Sequence, residues 1–492
     1  MAAVDLGAQS GRVAVGRFDG SKLEVHEAHR FANTPVTDGG SLCWDVERLH
    51  RNVLDGLRAV GRDSTVDSLA VDSWAVDFAL LDANDQLICP PTHYRNRRRA
   101  AASAAVFERV PARELYQRTG IQLLPINTIF ELAALAADHD SSLESARTLL
   151  LIPDLFHFWL CGSKTTELTN ATTTQCYDPT AGGWATDLLQ RLDVPTALLP
   201  EIVPPGTPLG PLSSEAAKET GLDGALVMAV ATHDTGSAVA AVPLVDRGSI
   251  YLSIGTWSLV GVEVDRPVIT DESFAANLTN EGGVDGTFRL LRNVGGLWLL
   301  DECRRRWADD GFELSFDELV ALASDAPAFL AFVDPNADAF LEPGDMPSRI
   351  RGFCRQSGQR EPETVGEVVR CVLESLALKH AETVDLLQKV TGSTPSTLHV
   401  VGGGARNALL CAWTASAAHL PVLAGPEEAT LIGNLLVQAM TLGEIGSLPE
   451  AREVVRASFD PVVYEPENCS GWQEARARFA ELANGAGMEV VA

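Results

Sequence analysis

Two similar α/β domains are what the sequence predicts, and three observations carry that prediction. The chain has 492 residues, more than one hydrophobic core accommodates. Runs with strand alternation and runs with helical spacing follow each other along it, which is the α/β pattern. A strand, glycine turn, strand phrase at the N-terminus also returns at mid-chain, with Gly7 and Gly255 248 positions apart. The expected domains are therefore residues 1–244 and 245–492.

Residues 3–6 and 12–18 read as strands joined by the turn Gly7-Ala8-Gln9-Ser10-Gly11, and residues 249–254 and 259–263 repeat this around Gly255-Thr256-Trp257-Ser258. Between them, residues 69–71 and 76–81 are β-rich and read as a hairpin or sheet edge, followed by a turn at 82–85. Helical spacing marks residues 101–109, 128–138 and 145–150, whereas 204–210 is a proline-rich loop. In the second half, residues 367–390 form an amphipathic helix through Val368, Val369, Val372, Leu376 and Leu386, and lead into a strand at 398–401.

Composition narrows the function. A net charge of −28 repels a phosphate backbone, so nucleic-acid binding is disfavoured. The longest uncharged stretches, 248–262 and 429–443, fall short of the roughly 18 to 20 apolar residues of a spanning helix. The N-terminus lacks the pattern of a secretory leader, so a cytoplasmic location is expected, as a monomer or homodimer. Nine scattered cysteines read as reduced thiols, with Cys354 and Cys371 as two partly buried thiols in preference to a bridge. There is no Gly-x-x-x-x-Gly-Lys-[Ser/Thr], no Gly-x-Ser-x-Gly and no His-Glu-x-x-His; His26 and His29 read as surface residues of an edge strand.

Three stretches carry chemistry. In residues 5–12 the glycines let backbone N–H groups approach phosphates, Arg12 adds charge, and Asp5 is placed to hold Mg²⁺ through water; taken alone, the same phrase is also an ordinary hairpin turn. In residues 229–237 an apolar strand delivers His233, Asp234 and Thr235 at its C-terminal end, where α/β sheets bind ligands. Asp234 there is either the general base of a phosphoryl transfer or the cap of the next helix. In residues 400–407 a strand runs into Gly402-Gly403-Gly404, which lets a flat ring approach the backbone or permits tight packing.

Taken together, the phrases Asp5-Leu6-Gly7-Ala8-Gln9-Ser10-Gly11-Arg12, Asp72-Ser73-Trp74-Ala75-Val76-Asp77-Phe78, Asn170-Ala171-Thr172-Thr173-Thr174-Gln175, His233-Asp234-Thr235, Ser253-Ile254-Gly255-Thr256-Trp257-Ser258-Leu259, Asn277-Leu278-Thr279-Asn280-Glu281-Gly282-Gly283 and Gly402-Gly403-Gly404 with Gly425-Pro426-Glu427-Glu428-Ala429 resemble the FGGY-type carbohydrate kinases over nearly the whole chain. The resemblance implies two actin-like ATPase domains of the ribonuclease-H-like kind with the active site in the cleft between them: an N-terminal domain for sugar and base, and a C-terminal domain for nucleotide. It implies transfer of the γ-phosphate of ATP, with Mg²⁺, to the 1-hydroxyl of L-rhamnulose, before L-fuculose or L-xylulose. An actin-like switch module without kinase activity is the rival from another class. By the resemblance, Ala8, Gln9, Ser10, Gly11, Arg12, Thr256, Asp301 and Gly403 hold the nucleotide, and Ala75, His233, Asp234, Thr235 and Asn293 hold the sugar. Asp234 is the base in that scheme. Trp74 and Trp257 pack on the sugar or in the core. Two residues depart from the family pattern: Ala75 stands where the family has Gly, and Asp301 where it has Gln.

Overall fold

The computed structural model describes residues 1–245, 248–467 and 470–485, and the chain divides into two compact units. The first contains Met1–Pro243, Glu263–Leu290 and Glu428–Phe459; the second contains Leu244–Val262, Leu291–Glu427 and the chain from Asp460 onward. Two later segments thus belong with the N-terminal residues.

A six-stranded sheet organises the first unit, in the order Thr207–Pro211, Leu226–Ala229, Ser68–Ser73, Ala2–Leu6, Ser10–Phe18, Leu23–Ala32. Ala2–Leu6 pairs antiparallel with Ser10–Phe18 across the glycine turn, and parallel with Ser68–Ser73 on its other side. Every residue of Ala2–Leu6 is buried, as expected of an apolar strand flanked by neighbours and covered on both faces. Gly56 of the helix Val46–Asp63 lies against Val13, and Leu435 of the helix Ala429–Thr441 lies against Gly16. Side chains three apart on a strand point to opposite faces, so these helices cover opposite sides. The N-terminus of the first helix is fixed by Asp45, whose carboxylate accepts from Arg48 N at 3.0 Å.

Close approach explains one glycine. A Cβ on Gly433 would lie 1.7 Å from the carbonyl oxygen of Ser237, so only glycine lets the helix Ala429–Thr441 pack on the helix Asp234–Ala240 that begins with the candidate base.

The second unit repeats the hairpin. Ile250–Ile254 pairs antiparallel with Trp257–Val264 and parallel with Leu398–Val401, which in turn pairs parallel with Val422–Ala424. The long helix Val365–Thr391 starts at a capping box of Thr364 and Glu367 and ends at Gly392 in the left-handed region, φ 72°.

Three local expectations are corrected. Phe78–Leu81 does not form a hairpin with 69–71; it pairs antiparallel with Thr148–Leu151, while Ser68–Ser73 is paired on both sides in the main sheet. The helix expected at 145–150 is replaced by that strand, preceded by the short helix Ser141–Ser145, because Thr-Leu-Leu-Leu can complete the Phe78–Leu81 ladder. The proline-rich loop contains the strand Thr207–Pro211, where Pro208 is tolerated because the strand is at the sheet edge and the register shifts between Pro208 and Gly210. Cys354 and Cys371 are buried free thiols.

Packing at Gly433 generates a contrast. Gly433→Ala is expected to cost about 1–3 kcal/mol in urea unfolding. Gly352→Ala, in the helix Met346–Gln356 with open space around the added methyl, should be neutral or stabilise by up to about 1 kcal/mol.

Candidate active site

Three strand ends meet in the first unit. In the hairpin, Asp5 and Arg12 are register partners, so their side chains share a face and form an ion pair at 2.5 Å. The turn is closed by Gly7 N donating to Ser10 O at 3.1 Å, and Asn33 ties it down by donating to Gly7 O at 2.9 Å from its side chain and to Gln9 O at 2.9 Å from its backbone. Glu428 reaches Arg12 Nε at 3.5 Å. Gly11 is required by packing, since a Cβ there would sit 2.3 Å from the Phe31 ring.

On the parallel neighbour, Asp72 is the register partner of Asp5, which brings two carboxyl groups to one face of the sheet. Asp72 is fully buried, and its Oδ2 accepts from Asn434 Nδ2 at 2.6 Å. Asn434 Oδ1 accepts from Gln438 Nε2 at 2.7 Å, and Gln438 Oε1 from Ser68 Oγ at 2.6 Å. Asn434 and Gln438 are one turn apart on the helix Ala429–Thr441, so one polar stripe serves the buried acid. Burial pushes Asp72 well above the usual carboxylate range, with the Asp5 charge adding to it. Burial also raises Asp5 to about 6 against the opposing pull of Arg12.

The third strand, Leu226–Ala229, runs parallel to Ser68–Ser73 and continues to Thr232, whose carbonyl accepts from Ser73 N at 2.9 Å. Ser73 and His233 form a parallel bridge, and Trp74 N donates to Leu6 O at 3.1 Å. The glycine turn, Ser73-Trp74-Ala75 and His233-Asp234-Thr235 are thereby neighbours at the C-terminal ends of adjacent strands, where ligands bind in such sheets. The segment before Asp234 is clamped by the buried Glu167, which accepts from Thr232 N and Oγ1, both at 2.9 Å, and from Thr169 Oγ1 at 2.5 Å.

Asp234 opens the helix Asp234–Ala240, and its Oδ1 accepts from Thr235 N at 2.5 Å and Thr235 Oγ1 at 3.2 Å. Asp234 is the first helical residue and His233 the capping position, and the Asp234 side chain stays 28% exposed, within reach of a ligand. Burial raises its pKa, opposed first by His233 and then by the Thr235 donors. Trp74 is 4% exposed, its ring centroid 4.2 Å from that of Trp44 at a tilt of 37°, and both indole N–H groups donate to the buried Asp77, at 3.0 Å and 2.6 Å. Asp77 also accepts from Arg99 at 2.6 Å, so the Trp74 ring is fixed in the core while Ala75, the next residue, is half-buried.

In the second unit, Gly255-Thr256 and Gly402-Gly403-Gly404 lie at the ends of the parallel strands Ile250–Ile254 and Leu398–Val401. Leu297 N and Trp298 N donate to Gly255 O and Thr256 O, at 3.0 and 3.3 Å, so the start of the helix Trp298–Asp309 closes over the turn. Asp301 lies in its first turn. Gly402 has φ 83°, and a Cβ on Gly404 would lie 2.2 Å from Ile254, whereas Gly403 has open space. Asn293 also belongs to this unit, with its carbonyl accepting from Asn336 Nδ2 at 3.4 Å.

Among the described residues no set of three or more His, Cys, Asp or Glu side chains forms a metal cage. The oxygen donors Asp5 and Asp72, the latter with a buried Oδ1 that has no hydrogen-bond partner, fit a hard divalent ion held largely through water and phosphate.

The sequence reading missed Asp72 as a charge, Asn33, Asn434, Gln438, Glu281 and Arg289. Asn434 and Gln438 were detectable as a polar i, i+4 pair in an otherwise apolar helix. A buried acid whose pKa is raised predicts a pH signature. Its folded pKa lies above the ordinary 3.8, so its contribution to stability is full below pH 3.8 and declines as pH rises. Asp72→Asn mimics the neutral acid and should flatten the fall of Tm between pH 4 and 7, whereas Asn434→Leu, which removes the donor, should cost about 1–3 kcal/mol.

Residues 1–241 match the N-terminal domain of the FGGY family of carbohydrate kinases, and residues 250–442 its C-terminal domain. The chain is 43% identical over 478 residues to a rhamnulokinase of Bacteroides thetaiotaomicron, covering 97% of this chain and 98% of the relative. It is 40% identical over 485 residues to a rhamnulokinase of Pectobacterium carotovorum, covering 98% and 96%. Its fold is shared with a ligand-bound xylulose kinase from Lactobacillus acidophilus, at a TM-score of 0.81, 18% identity and 99% coverage of both chains. It is shared also with a Plasmodium falciparum glycerol kinase with ADP, at a TM-score of 0.75, 15% identity and coverage of 100% and 98%. Matched in both halves and related over nearly its full length, the chain belongs to the FGGY family of carbohydrate kinases.

Proposed function

We propose that this kinase transfers the γ-phosphoryl group of ATP to O1 of L-rhamnulose, giving L-rhamnulose 1-phosphate, with Asp234 as the general base. The observation that carries the assignment of the base is the partly exposed Asp234 carboxylate at the end of the strand beside both Ser73-Trp74-Ala75 and the first glycine turn. The substrate is supported by the rhamnulokinases to which the chain is similar over almost all of its length.

In this reading the residues of the chain divide the work. His233 and Thr235 orient the sugar next to Asp234, and Ala75 bounds it, backed by the tilted Trp74–Trp44 pair that Asp77 holds. Asp234 accepts the proton as the hydroxyl attacks phosphorus, and the other product is ADP. Ala8, Gln9, Ser10, Gly11 and Arg12 hold phosphate oxygens, for which Arg12 exchanges part of its pairing with Asp5. Thr256, Asp301 and Gly403 contact the nucleotide, and Asn293 contacts the sugar. Mg²⁺, held through water by Asp5, supplies charge neutralisation to the triphosphate. The protein is expected to work in the cytoplasm; no described helix is long and apolar enough to cross a membrane.

The test is ADP release from Mg-ATP with and without L-rhamnulose, with phosphate located on the product. Sugar-dependent release with phosphate on O1 is expected, and Asp234→Asn should lower kcat by about 10²–10⁴ while the variant still binds both substrates. Turnover near wild type in that variant removes Asp234 as base.

One observation favours a second ketose: Ala75 adds a methyl group at the half-buried position beside His233 where the family has glycine. Ala75→Gly is expected to lower KM for L-rhamnulose by up to about tenfold with kcat little changed, measured against L-fuculose and L-xylulose. A larger gain with one of those ketoses would move the assignment of substrate to it.

A further inference from the structure

His233 sits between three charged groups, and the distances fix how it can be protonated. Its Nε2 lies 3.3 Å from Asp234 Oδ1, and its Nδ1 lies 3.2 Å from Glu281 Oε2 and 3.1 Å from an Arg289 NH2 group. Arg289 and Glu281 are themselves 3.1 Å apart, Arg289 is fully buried, and its Nε donates to Gly282 O at 2.8 Å, which holds the guanidinium in place.

A guanidinium has five N–H donors and no acceptor. At the Arg289 contact, Nδ1 can therefore only accept. A neutral imidazole protonated on Nδ1 would gain one hydrogen bond to Glu281, but would set that N–H against an Arg289 N–H and the Nε2 lone pair against the Asp234 carboxylate. An imidazolium would place a second buried cation 3.1 Å from Arg289. The tautomer with hydrogen on Nε2 avoids both conflicts and puts a proton donor, not a lone pair, 3.3 Å from Asp234 Oδ1. That oxygen already accepts from Thr235 N and Thr235 Oγ1. With both Thr235 donors on Oδ1, Oδ2 is left for the substrate.

We propose that Arg289 is a positioning residue for the base: by donating to His233 Nδ1 it fixes the Nε2–H tautomer, which puts a proton donor and not a lone pair 3.3 Å from Asp234 Oδ1, and with Oδ1 held by the two Thr235 donors Oδ2 is the atom that takes the sugar's proton. The inference rests on Asp234 as base. Glu281 balances the Arg289 charge and leaves the tautomer to Arg289. The Arg289 charge is also one of the influences that oppose the burial of the Asp234 carboxylate, beside the Thr235 donors.

The experiment is ¹⁵N-imidazole NMR of the full chain at neutral pH, with His233 assigned by loss of its signal in His233→Gln. Hydrogen on Nε2 with Nδ1 unprotonated is expected in the wild type and in Glu281→Gln, and a switch to Nδ1–H in Arg289→Met. The same Arg289→Met protein should lose about 10- to 100-fold in kcat with KM for Mg-ATP within about twofold, and Arg289→Lys, which is also a pure donor, should recover part of it. Nδ1–H or imidazolium in the wild type, or a tautomer unchanged in a folded Arg289→Met, overturns the proposal. Because the NMR signal is read without turnover, it stands apart from Asp234→Asn, which tests the base itself.

Discussion

Everything in the first unit that bears on chemistry depends on the parallel pairing of Ala2–Leu6 with Ser68–Ser73. In-register pairing sets Asp5 beside Asp72 on one face of a fully buried strand pair, and carboxylates in that position repel each other and resist leaving water. The surrounding residues answer that constraint. Arg12 pairs with Asp5 from the antiparallel side, and Asn434 donates to Asp72 from a helix that Gly433 allows to pack closely. Burial raises the pKa of both acids, and Asp5 is the one with a cation, Arg12, paired to it, so Asp5 is the group that most readily carries charge toward a hydrated cation.

The same strands set up the acceptor side. Because Leu226–Ala229 pairs on the other edge of Ser68–Ser73, the chain leaves the sheet at Thr232 beside Ser73, and the turn into the next helix places Asp234 in a partly exposed position. Glu167 and Thr169 hold the peptide groups of Thr232 and His233, so the base is built on fixed backbone. The cluster of Trp44, Trp74, Asp77 and Arg99 does the same for Ala75: a buried carboxylate satisfied by four donors leaves no freedom for the aromatic pair.

In the second unit the glycine turn at Gly255 and the triple glycine at Gly402 differ in what they require. Gly402 needs the left-handed region and Gly404 needs room against Ile254, while Gly403 faces open space. Of the three, Gly403 is the one not accounted for by backbone geometry or packing, which is why it stands as the nucleotide contact in the proposed scheme.

By itself the sequence determined what is local. The two glycine hairpins, the strand that delivers Asp234, the long helix Val365–Thr391 and the ordered phrases of the FGGY family are all written in short stretches, because turns, alternation and caps depend on neighbours a few residues apart. Tertiary structure decided what is distant. Asn434 reaches Asp72 from 362 positions away, Arg289 reaches His233 from 56, and the segments Glu263–Leu290 and Glu428–Phe459 return to the first unit; a local pattern can mark such a residue as polar but cannot name its distant partner. The expected helix at 145–150 failed for the same reason: its residues satisfy either pattern locally, and the unpaired edge of Phe78–Leu81 chose the strand.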